Sequence, residues 1–116
     1  MVMADPQPKI NITYVIQKKK QSLELLVNRM KKIRDTVVKH HEYPTVVFDR
    51  VNAGIEMLEK METLIQKLET HDGDDDALIF DIDDMEKANA IHLEDLESTL
   101  KLLEDEARRS RMAQGA

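Results

Sequence analysis

The chain has 116 residues, 17 Lys and Arg against 23 Asp and Glu, and a formal charge of −6, which leaves room for one acidic domain and not two. It has no cysteine, which excludes disulfides, thiolate zinc sites, iron–sulfur clusters and thiol catalysis. Tyr14, Tyr43, Phe48 and Phe80 are its only aromatic residues, and Leu, Glu and Lys are abundant beside seven Met, which excludes a sheet protein and favours long helices.

Pro6 and Pro8 make residues 1–10 an extended leader in expectation, with no basic-then-apolar signal pattern. The first predicted helix covers residues 13–41. Ile16, Leu23, Met30 and Val37 recur every seven residues, and Leu26 and Ile33 fill the positions between them. Lys19 and His40 interrupt this a/d seam. At about 1.5 Å per residue such a helix is roughly 43 Å long. Asn11-Ile12-Thr13 matches a glycosylation sequon, but without a secretory signal it reads as chance.

Pro44 ends the first helix and suits the first turn of a second, predicted over 45–70. Val47, Val51, Leu58, Met61, Ile65 and Leu68 carry its seam. Gly54 falls on the core-facing side, where it would let a neighbouring helix approach closely; a kink is the other reading.

His71-Asp72-Gly73-Asp74-Asp75-Asp76 breaks the pattern, and an acidic loop is expected over 71–82. Asp83 with Glu86 has the spacing of a capping box, so the third helix is predicted over 83–112, with a flexible tail at 113–116. Leu93, Leu96, Leu100, Leu103 and Ala107 form its seam. Ile82, Met85 and Ala88 lie off that register, which predicts a stutter near His92. The fold class is therefore all-α: an elongated, antiparallel three-helix bundle with coiled-coil-like helices, in one domain over 11–112.

Charge is segregated along the chain. Residues 1–45 carry a net charge of +5, residues 46–71 carry −2 and residues 72–116 carry −9. Lys18, Arg29, Lys32 and Lys39 fall within about 80° of one another on a helical wheel. This stripe reads first as an internal match to the acidic third helix, and second as a surface for an acidic protein partner. Nucleic acid is disfavoured by the overall acidity and the lack of stacking aromatics.

Asp72, Asp74, Asp76 and Asp83 occupy positions 1, 3, 5 and 12 of a calcium-loop register. Ala77 replaces the turn glycine, and Asp83 is short for a bidentate ligand, so only a weak metal candidate is left. Leu78, Ile79, Phe80 and Ile82 follow directly. Three adjacent bulky residues do not share one helix face. They read either as a cap over the bundle end or as a docking segment that adds to a partner's sheet edge.

No histidine pair shares a helix face, Glu59-x-x-Glu62 lacks a second half, and Ser22, Ser98 and Ser110 have no glycine-rich turn beside them. Neither an enzyme nor a cofactor is expected. No apolar run approaches a membrane span. The expected role is a cytoplasmic, non-enzymatic helical interaction module, a scaffold or adaptor that assembles through its a/d seams as a homo-oligomer or with a partner helix. A small helical chaperone shielding an apolar client segment, using Met30, Met57, Met61 and Met85, is the alternative. Ion-responsive binding through Asp72–Asp76 is a third.

Overall fold

The structure, a computed structural model, describes residues 11–39 and 43–114. Three helices hold nearly all of them: α1 (Ile12–Lys39), α2 (Thr45–Glu69) and α3 (Asp75–Gln114), with no strand among the described residues. The predicted leader, His40 and His41 of the first predicted helix, and residues 115–116 of the predicted tail lie outside them.

Each helix start follows from a short-range device. The Asn11 Oδ1 accepts the Tyr14 N–H at 3.2 Å, so the sequon asparagine is the N-cap of α1. Pro44, with φ −59° and ψ 150°, leads into α2, and its carbonyl accepts the Val47 N–H at 2.9 Å. Helix α2 closes with the Asp72 N–H on the Lys67 carbonyl (2.9 Å) and the His71 N–H on the Leu68 carbonyl (3.3 Å). That is a Schellman stop, and His71 holds the left-handed position at φ +53° that glycine usually takes.

The third helix starts eight residues earlier than the predicted 83, so the acidic loop over 71–82 is corrected to a connection of a few residues. Asp74 is the cap: its Oδ1 accepts the Asp76 N–H at 3.2 Å. Asp75 and Asp76 then sit in the first turn, where the helix dipole favours carboxylates. The capping role expected of Asp83 and Glu86 falls away, since both lie two turns or more inside α3.

The helices run up, down and up. Lys20 of α1 pairs with Glu69 at the far end of α2 (2.9 Å), and Arg50 near the start of α2 lies against His92 in mid-α3. Lys19 and Arg29 of α1 instead meet Asp83, Glu86 and Glu97 in ascending order, so α1 and α3 are parallel. The predicted seam is the core. Leu26, Met30, Ile33, Val37, Val51, Leu58, Met61, Ile65, Leu68, Leu93, Leu96 and Leu100 are buried, and Ile16, Leu23 and Leu103 are half-buried against them. Each such burial contributes about 1.5–3 kcal/mol before conformational entropy is set against it.

Helix α3 adds Leu78, Ile82 and Asn89 to this core, with Met85 half-buried between them. Its inward positions step 78, 82, 85, 89, 93, 96, 100. The two consecutive fours at Asn89 are the stutter expected near His92, where the helix shifts its seam without breaking. The close approach expected at Gly54 is also present. A Cβ there would press on the Met30 Cε and lie 2.8 Å from the His92 Cδ2, so at this glycine α2 lies directly against side chains of both α1 and α3.

Candidate interaction surface

The residues proposed from sequence to meet a partner fall into three groups. Arg29 of the basic stripe is held internally by Glu97 of α3, and this partnership outweighs burial in raising the arginine's pKa. Lys18 lies 5.5 Å above the Tyr14 ring, a cation–π contact within its own helix. Lys32 and Lys39 are exposed. The internal match between a basic α1 and an acidic α3 therefore accounts for part of the stripe and leaves two lysines to solvent.

One charge contact reads in the sequence as a defect. Lys19 occupies a d position, and its Nζ lies 2.5 Å from Asp83 and 3.0 Å from Glu86. Burial pulls its pKa down, but the two hydrogen-bonded carboxylates overcome that and leave the ammonium above the ordinary lysine value. The aliphatic stem fills the seam, and the charged head is clamped at its rim.

The segment Leu78-Ile79-Phe80-Ile82 is helical, which removes the strand-addition reading. Its backbone groups are inside α3, and Leu78 and Ile82 point into the core at 8% and 0% exposure. Ile79 sits at the flank, and Phe80 faces solvent. Successive helical residues turn by about 100°, so three bulky neighbours divide between inside, flank and outside.

Asp72, Asp74, Asp76 and Asp83 do not converge. Asp74 is occupied as a cap, and Asp83 lies nine residues further on, about 13 Å along the helix, against Lys19. Among the described residues no group of three or more His, Cys, Asp or Glu side chains is placed to hold a metal ion.

Two polar residues gained roles that sequence had not signalled. Asn89 is buried, and its Nδ2 donates to the Met57 carbonyl at 3.3 Å and approaches the Met61 sulfur at 3.8 Å, tying α3 to α2. The His92 Nε2–H donates to the Arg50 carbonyl at 2.6 Å, beside Gly54. Met30 and Met61 fill the core, while Met57 and Met85 are half-buried. Glu59 and Glu62 line a shallow groove between α1 and α2, facing Lys31 and Arg34 across Val27 and Ile55.

What the bundle leaves uncovered is the end of α3. Leu100 is buried, and Leu103, Asp105 and Ala107 are half-buried. The helix then continues to Gln114, and every residue from Arg108 to Ala113 is exposed. The seven residues past Ala107 amount to about 10 Å of projecting helix. No helix among the described residues is long and apolar enough to cross a membrane. Comparison with protein-family models, with curated proteins and with solved structures gives no match to this chain.

Proposed function

We propose that this chain is a non-enzymatic helical interaction module whose binding element is the projecting end of α3. One observation carries this reading. Among the described residues the a/d seams are taken up in closing the bundle, while α3 runs on beyond it with residues 108–113 exposed all round. An isolated helix of that length would be marginal in water, but here the packed body of α3 supplies the nucleus. The result is a preformed helical tip that a partner helix can join without paying for helix initiation.

The test is Ala107→Pro in the full chain. Proline at this position disrupts the tip helix and leaves the buried residues in place. The expected result is a loss of helical signal confined to the last turns, a stability change within about 1 kcal/mol, and loss of partners captured by the unaltered chain. A stability loss of several kcal/mol, or an unchanged set of captured partners, overturns the reading.

A further inference from the structure

The free end of α3 is complementary to itself. We propose that two copies of this chain pair through residues 104–114 of α3, antiparallel, with Ala107 of each helix facing Ser110 of the other. The inference rests on the α3 end being the binding element.

The seam spacing of α3 does not stop at the bundle. Leu100 and Leu103 are followed, three and four residues on, by Ala107 and Ser110. Two small residues in succession let helix axes come close, since interaxial distance is set by the side chains at the contact. Charge chooses the direction. Glu104 and Arg111 lie on the same flank of this seam, one at each end of the projecting part. In an antiparallel pair like flanks face each other, so each Glu104 meets the Arg111 of the other copy. The opposite flank carries Glu106 and Ala113, which forces no like charges together.

Geometry agrees with that direction. A parallel pair would bring two three-helix bodies to one level beside the shared helices, whereas an antiparallel pair leaves them at opposite ends. Val38, Val46 and Leu102 are large apolar residues exposed by 54–65% at the end of the bundle from which the tip projects. An antiparallel partner's tip ends at that level of the bundle. The arrangement is two-fold and closed, so it stops at a dimer.

Sedimentation equilibrium on the full chain tests this with charge variants. Glu104→Arg and Arg111→Glu each turn both cross-pairs into like-charge pairs and should weaken self-association by about tenfold or more. An equimolar mixture of the two variants should associate as well as the unaltered chain, and the double exchange E104R/R111E should restore the homodimer. Circular dichroism should be unchanged throughout. A chain that stays monomeric to about 1 mM, or a dimer indifferent to both reversals, overturns the pairing. If in either case Ala107→Pro still removes captured partners, the binding element stands and only its self-pairing falls.

Discussion

Replacing Gly54 by Ala sets two effects of known size against each other. In an exposed helix interior the change gains about 1 kcal/mol, because alanine restricts the unfolded chain more and costs nothing in side-chain entropy. At this position the new Cβ would stand 2.8 Å from the His92 Cδ2 and 3.1 Å from its Nε2, and closer still to the Met30 Cε. The thioether end of Met30 can rotate away. The His92 ring is held by its 2.6 Å bond to the Arg50 carbonyl, one turn before Gly54 on the same helix. Moving it strains or breaks a hydrogen bond, about 0.5–1.5 kcal/mol, and forces the α2–α3 contact apart, which overpacking data put at roughly 1–3 kcal/mol. The clash wins: Gly54→Ala should destabilise by about 1–2 kcal/mol, a fall of several degrees in Tm. Urea unfolding followed by circular dichroism measures it, in the natural background and again with His92→Ala. Without the ring, alanine at 54 should be neutral or stabilising. A stabilised single variant, or the same cost in both backgrounds, refutes the close-approach account.

Other substitutions test the remaining devices. His71→Gly should stabilise by about 0.5–1 kcal/mol, since the left-handed turn strains any side chain with a Cβ; a thermal melt no higher than that of the unaltered chain counts against it. Asp74→Ala should cost about 1 kcal/mol through the lost cap, and the same loss should appear as faster amide exchange at Asp76. Lys19→Met should cost on the order of 1 kcal/mol near neutral pH, because both carboxylates are partly solvated. The lysine's folded pKa lies above its unfolded value of about 10.4, so its contribution is complete below that pH and disappears as pH rises through the folded pKa. The stability difference between Lys19→Met and the natural chain should therefore be flat from about pH 7 to 9.5 and shrink above about 10.5. A difference that declines at lower pH assigns it to another group.

The helical seams were legible because spacing alone decides which residues share a face, and Leu26, Met30, Ile65 and Leu96 needed nothing else to be placed inside. The start of α3 was not, because one pattern admits two physical uses. Asp83 and Glu86, three apart, cap a helix if they begin one and clamp a cation if they lie within one. The choice depends on which residue of α1 stands opposite. The aspartate run around Gly73 reads as a breaker, yet Asp at the cap and first turn is also a helix-start signal, and Leu78 with Ile82 is an i,i+4 pair continuing inward. Lys19 was visible as a fault in the seam, but its partners are more than sixty residues away. The burial of Asn89 and the left-handed turn at His71 leave no local trace, since tertiary contacts alone create them.

Those polar seam positions explain how the end of α3 comes to project by a fixed length. Apolar ridges spaced three and four apart pack almost as well after a slip of one heptad, so a bundle made only of leucine seams does not define where its longest helix stops. Here a slip that draws the end of α3 back by one heptad would set Ala90 and Leu93 opposite the Lys19 ammonium in place of Asp83 and Glu86. A slip against α2 would take the buried Asn89 amide from the Met57 carbonyl, and would also move the His92 ring off the small gap above Gly54. Three independent penalties, each local and each polar or steric, fall on the same sliding motion. The register they fix sets both the parallel ladder of α1 on α3 and the residue at which cover by α1 and α2 ends. Helix α3 is long enough to outrun its neighbours only because it is prevented from sliding back among them.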